Sequence, residues 1–339
     1  MLRFILAGVI GLAATLAAHA QEDFFKGKTI TIINSTGNGG SYYNIAQALT
    51  RHMPRYIPGR PTMIVKSMPG GGNLLATNFM YNRAPSDGTH IATINNSVPL
   101  HQVLDGTGVH YDANKFHWLG STGSYNSVAY VWHTAGIRTY KDLLEKEVIL
   151  GGTGVGSSIV IYPTATNNLL GTKFKIVLGY NSTADIDIAM ERGEVQARTG
   201  SYTALRSEHP DWIRDKKVVI LFQIGIKRDP ALPDVPLLTE LAMTDEQREI
   251  LKLISSPIAL GRPYLAAPNT PPDRLAILRE AFAATMKDKG FLDDMTKLTT
   301  EVDPMSGEEV AQIIRDTVNA PPHIIANAKA IIGPSEKAQ

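Results

Sequence analysis

The sequence predicts an α/β protein made of two doubly wound bodies, and three observations carry that prediction. Short β-branched runs alternate with segments of helical period from residue 28 to beyond residue 220. Two of the strand-to-helix turns are rich in glycine and hydroxyl side chains, which suits the tight crossover units of a parallel sheet. The length, 339 residues, exceeds one ordinary domain and fits two.

The elements follow in order. Lys28-Thr29-Ile30-Thr31-Ile32-Ile33 is a β-branched strand bounded by Gly27 and the turn-rich stretch from Asn34 to Ser41. Tyr43, Ile45, Ala46, Leu49 and Met53 recur near the helical period and stop at Pro54. Residues 62–66 read as a strand closed by Met68-Pro69-Gly70-Gly71-Gly72-Asn73, residues 74–82 as a helix and 90–94 as a strand. The alternation then repeats. Strands are expected at 127–132, 148–150, 175–178 and 218–222, with helices at 140–145, 159–170 and 184–192, the last ended by Gly193. The proline-rich stretch from Asp229 to Pro236 carries the chain past one body, Leu265-Ala266-Ala267 is a further strand, and helices dominate from Pro272 on, at 273–287, 291–298 and 306–318. The alternation predicts mostly parallel sheets. The chain crosses between bodies near 121–126 and again near 255–262, an arrangement expected to act as a hinge.

Composition narrows the chemistry. Hydrophobic residues are 43% and charged residues 19%, enough for packed cores and no case for disorder. Lys and Arg number 33 against 32 Asp and Glu, so no basic footprint for nucleic acid is spread over the surface. Cysteine is absent, which removes disulfides, thiolate metal sites and thiol nucleophiles. Residues 1–20 read as a secretory leader: Arg3, an apolar run from Phe4 to Ala18 broken by Thr15, then Ala18-His19-Ala20 as a cleavage signal. That run is shorter than the ~20 residues needed to span a bilayer.

Two loops share one construction, a strand, a Gly/Ser/Thr turn and a helix start: 35–41 and 152–158. Glycine lets backbone N–H groups face a ligand, and a helix start adds unsatisfied donors and positive potential. Such a site suits carboxylate or phosphate; the plainer reading is a pair of tight turns. The dinucleotide spacing is not met by Gly152, Gly154 and Gly156, the P-loop lysine is missing, and no serine sits in a Gly-x-Ser-x-Gly elbow. The histidines show no metal-binding spacing. The sequence therefore offers no catalytic residues, no metal site and no cofactor.

Five stretches in order resemble the tripartite tricarboxylate transporter solute receptors, the Bug receptors, over essentially the whole mature length: Ile30–Ile33 with Gly39-Gly40 and the helix through Ala46; residues 68–73 together with 84–89; Gly154-Val155-Gly156-Ser157; residues 228–236; and Ala266-Ala267-Pro268-Asn269-Thr270-Pro271. The resemblance implies two α/β domains around a cleft, like type II periplasmic binding proteins, with 21–124 plus 256–339 as one domain and 125–255 as the other. It implies a periplasmic receptor that captures a small organic acid and delivers it to membrane subunits, as a monomer and without nucleic acid. By the same resemblance the ligand falls to Thr36, Gly39, Gly40 and Ser41 in one loop and to Gly154, Gly156, Ser157 and Ser158 in the other. Tyr43, Tyr180 and Arg198 are expected beside them. Tyr42, Tyr125 and Tyr202 also fall in stretches expected to face the cleft. Arg198 reads either as a surface ion pair or as a bidentate partner for a second carboxylate, which points to an aromatic or dicarboxylic acid. A secreted enzyme or an orphan sensory receptor on the same fold is the competing function.

Overall fold

In the computed structural model, residues 24–104, 106–225 and 227–332 are described; the leader expected over 1–20 lies outside them. The first sheet begins with β1 (Thr29–Asn34), β2 (Thr62–Ser67), β3 (His90–Thr93) and β4 (His117–Ser121), with helices α1 (Ser41–His52), α2 (Leu74–Asn82) and α3 (Val98–Leu104) between them. The chain then crosses to a second sheet of β5 (Ser127–Trp132), β6 (Val148–Gly151), β7 (Phe174–Val177), β8 (Ala197–Ser201) and β9 (Val218–Ile224). Its helices are α4 (Asp142–Glu145), α5 (Ser158–Leu170), α6 (Thr183–Glu191), α7 (Tyr202–Glu208), α8 (Pro210–Arg214) and α9 (Asp245–Ser255). The return to the first sheet adds β10 (Pro263–Ala266) and β11 (Met305–Ser306), with α10 (Pro272–Thr285), α11 (Lys289–Lys297), α12 (Gly307–Val318) and α13 (Pro322–Ile332).

The strand orders are β11-β4-β10-β3-β1-β2 and β7-β6-β8-β5-β9. Both sheets are mixed, which corrects the expectation of mostly parallel pairing. β1 runs parallel to β2 and β3, and β6 parallel to β7 and β8. β10 runs against β3 and β4, and β5 against β8 and β9. Parallel neighbours need a crossover over one face of their own sheet. β10 instead arrives from the other sheet and inserts between β3 and β4, and β5 enters the second sheet the same way.

Each sheet buries the residues its period selects. Ile30 and Ile32 of β1 pack with Leu49 of α1 and with Leu278 and Phe282 of α10. Leu150 and Phe222 pack with Ile161 of α5 and with Ile250 and Leu251 of α9, joined by Leu100 and Leu104 of α3 and Ala328 of α13. Helix α9 is not among the elements that periodicity predicts. Its start is a capping box in which Thr244 accepts from the Gln247 N–H. Two backbone crossings link the sheets, and they touch: at Gly261, with φ +57°, an added Cβ would run into the Gly123 carbonyl. Among the described residues no helix is long and apolar enough to cross a membrane.

Candidate functional site

Between the sheets lies a cavity of about 200 Å³. Helices α1, α2, α5 and α6 all begin at it, through Gly40 and Ser41, Asn73, Ser158, and Ser182 with Thr183. The first N–H groups of a helix have no intrahelical acceptor, and its N-terminus carries about half a positive charge. Helices α1, α2 and α5 have no acidic residue in the first turn and no side-chain cap. The first-turn donors of α1 and α5 are thus without a side-chain acceptor, whereas in α2 the Leu74 and Leu75 N–H groups already meet the Gly71 and Gly70 carbonyls. Helix α6 differs: Ser182 and Asp185 cap each other.

The remaining lining is mostly hydroxylated and, Arg198 apart, neutral. Ser35, Thr36, Ser127, Thr153 and Ser201 contribute hydroxyls, Tyr42, Tyr125 and Tyr180 contribute rings, and Ile159 is apolar. Among the described lining residues Arg198 is the charged one, and there is no carboxylate. Burial pushes the Tyr42 hydroxyl well above the ordinary tyrosine range, so it stays protonated. It accepts from the Asn96 N–H at 3.2 Å and donates to the Gly261 carbonyl at 3.2 Å, tying the wall to the crossing segment.

Of the residues expected from the sequence, the fold brings Thr36, Gly40, Ser41, Ser158, Tyr180 and Arg198 to one cavity. Tyr43 lies outside the lining, its hydroxyl accepting from Gln47 Nε2 at 2.7 Å. Tyr202 also lies outside it, beneath Arg206. Gly39, Gly154, Gly156 and Ser157 lie outside it as well. Gly39 faces Ala184, and Ser157 turns its hydroxyl back to the Gly154 carbonyl at 2.9 Å. The lining adds residues that the two-loop reading does not include: the 70–73 turn, Asn95, the 179–183 turn, and Gly200 with Ser201. The 179–183 turn has a sequence signal, the Ser182-x-x-Asp185 box that opens a helix.

Arg198 occupies an unexpected setting. It lies inside β8 and is 1% exposed. Its Nε and Nη2 donate to the two oxygens of Asp187, at 2.5 and 3.0 Å, and His209 Nε2 meets Asp187 Oδ2 at 2.9 Å. Burial pushes the Asp187 carboxyl up, but the Arg198 charge and the bonds from His209 and Arg198 outweigh it and hold the carboxyl below its usual range. Nη1 of Arg198 sits beside Gly200, where a Cβ would displace it. Asp187, Glu208 and His209 bring potential metal-ligand atoms within 4.8 Å of one another. A cation there would sit against the Arg198 guanidinium, so the group reads as a buried ion-pair network.

The two lobes touch beside the cavity. Gly37 N–H donates to the Asn181 carbonyl at 3.2 Å, and the Ser97 hydroxyl reaches the Gly156 carbonyl at 2.9 Å. Gly72 and Gly154 meet backbone to backbone: a Cβ on Gly154 would lie 2.5 Å from the Gly72 nitrogen, and one on Gly72 would lie 2.6 Å from the Gly156 nitrogen. Side chains at either position would hold the lobes apart.

Solved structures share this architecture. The periplasmic binding protein BugD is 19% identical, with a TM-score of 0.72 over 90% of this chain and 97% of its own. MatC from Rhodopseudomonas palustris, solved with malate, is 16% identical, with a TM-score of 0.70 over 90% of this chain and 99% of its own. Another R. palustris protein, solved with adipate, is 15% identical, with a TM-score of 0.70 over 90% of this chain and 98% of its own. No curated protein sequence matches the chain. The family described as the tripartite tricarboxylate transporter family receptor matches residues 55–329. That match begins after β1, the 35–41 loop and α1 and covers the remaining strands of both sheets, and by it the chain belongs to the tripartite tricarboxylate transporter receptor family.

Proposed function

We propose that the chain is a periplasmic receptor that captures a small organic acid in the cavity between its sheets and delivers it to membrane subunits of a tripartite transporter. One observation carries the reading: the uncapped starts of α1 and α5, with no acidic residue in their first turns, open on a cavity whose described lining holds no carboxylate. Positive potential without a protein counter-charge favours an anion, and charge-assisted bonds to such donors are stronger than neutral ones. MatC and its R. palustris relative, solved with malate and adipate, support a carboxylate over a phosphate.

In this reading Thr36, Gly40, Ser41 and Ser158 hold one carboxylate, Tyr180 walls the site, and Arg198 turns Nη1 towards a second acidic group. Gly39, Gly154, Gly156 and Ser157 shape the loops that carry those donors, and Tyr43 supports the first turn of α1. The division into 21–124 plus 256–339 and 125–255 is supported by the sheets, since β1–β4, β10 and β11 form one and β5–β9 the other. Export by cleavage after Ala20, a monomeric state and the absence of catalysis complete the proposal. A thermal-shift panel of aliphatic and aromatic acids, each beside its amide, tests it. Acids are expected to raise Tm and to be recovered unchanged; stabilisation by amides alone overturns the reading.

A further inference from the structure

Arg262 carries a buried charge with no ion-pair partner among the described residues. It lies on the returning crossing, just before β10, and is 2% exposed. No carboxylate pairs with it among the described residues, and its Nε is buried without a hydrogen-bond partner. Its guanidinium carbon lies 4.3 Å from the Tyr125 ring centre and 6.0 Å from that of Tyr42, two rings that line the cavity. The nearby acid Glu208 is pushed up by its own burial and forms no ion pair with it. A lone buried charge is costly, at several kcal/mol after relaxation, and cation–π contacts recover a part of that.

The remaining contact leads into the cavity. Arg262 Nη2 donates to Ser201 Oγ at 3.2 Å, and the same oxygen accepts from the Ala204 N–H at 3.3 Å. With both acceptor positions used, the Ser201 hydroxyl keeps its proton to donate, and Ser201 lines the cavity beside Gly200 and Arg198. We propose that Arg262 is a positioning residue that makes the site select diacids: acting through Ser201 and behind Tyr125, it builds, together with Arg198, a second anion-holding pole at the end of β8. The inference rests on the carboxylate reading above. Its ligand class is a short dicarboxylate whose second carboxylate meets Ser201 and Arg198 Nη1.

Calorimetric titration of the whole chain with matched pairs, succinate against butanoate and adipate against hexanoate, tests the proposal. The wild-type protein is expected to bind at least one diacid tenfold or more tighter than its monoacid partner. In Arg262→Met that ratio falls to within threefold of unity, and Arg262→Lys, which keeps a charge, restores a ratio above that of Arg262→Met. A merely structural role would weaken both members of a pair alike and leave the ratio standing, which overturns the proposal. If Arg262→Met does not fold, the wild-type ratio decides, and equal affinities overturn it. Acids bound without diacid preference remove Arg262 alone; no acid bound at all removes the carboxylate reading and this inference with it.

Discussion

Arg198→Ala is expected to lower stability by about 3–5 kcal/mol, the cost of leaving one member of a buried ion pair without its partner. Asp187 is 2% exposed and takes two bonds from this guanidinium. In the variant it keeps the His209 contact and little else. The melting temperature should fall by on the order of 10 °C. A paired Arg198→Met, Asp187→Leu variant should recover most of that loss, since replacing both charges removes the unpaired one. The pH dependence has a definite sign. The Asp187 carboxyl is held below its ordinary value, so its contribution is present above an unfolded pKa of about 3.9 and fades as pH falls through the lower folded value. The gap between wild type and Arg198→Ala should therefore be full at pH 7 and narrow below about pH 4. Melting curves of the three proteins at both pH values check this. Coincident wild-type and Arg198→Ala curves at pH 7 would mean that the pair contributes nothing.

Gly154→Ala should weaken acid binding by roughly 10–100-fold while leaving the unliganded melting temperature within a few degrees of wild type. The added Cβ would meet the Gly72 nitrogen at 2.5 Å and its Cα at 2.9 Å, backbone of the opposite lobe. Backbone cannot rotate aside as a side chain can, and overpacking of this kind costs about 1–3 kcal/mol. The cost falls on closure, because the contact is made across the cleft and not within either core. Gly154 is the cleaner test of the two glycines. Gly72 has φ +65°, so a side chain there strains its own turn as well. Titration gives the affinity, and small-angle scattering of the acid-saturated variant should show a larger radius of gyration than the saturated wild type. An unchanged dissociation constant would show that the glycine contact is not needed for binding.

Much of the fold was legible because local patterns specify local elements. The strand at Ser127–Trp132 and the helix at Leu74–Asn82 lie where alternation and periodicity place them. Strand direction was not legible: nothing in the period of Pro263–Ala266 says that it runs against both neighbours, since that follows from where the chain has come from. The site divides in the same way. Thr36, Gly40, Ser41 and Ser158 could be found because glycine and hydroxyl residues beside a helix start are a local signal. Asp187 stands eleven residues from Arg198 on a different element, and Arg262 stands sixty-one residues from Ser201. Pairs of that kind exist only after the sheets assemble. Gly39, Gly154, Gly156 and Ser157 fall outside the cavity because they face protein: Gly39 meets Ala184, Gly154 and Gly156 meet Gly72, and Ser157 bonds the Gly154 carbonyl.

The central claim is that an acid is held where four helices begin, between two lobes closed on each other. A crystal structure grown with the most stabilising acid of the panel tests it most directly. One carboxylate is expected within hydrogen-bond distance of the backbone N–H groups at Ser41 and Ser158, with the Gly72–Gly154 contact intact. An acid seated outside this cavity, or a carboxylate that meets none of these helix starts, would contradict it.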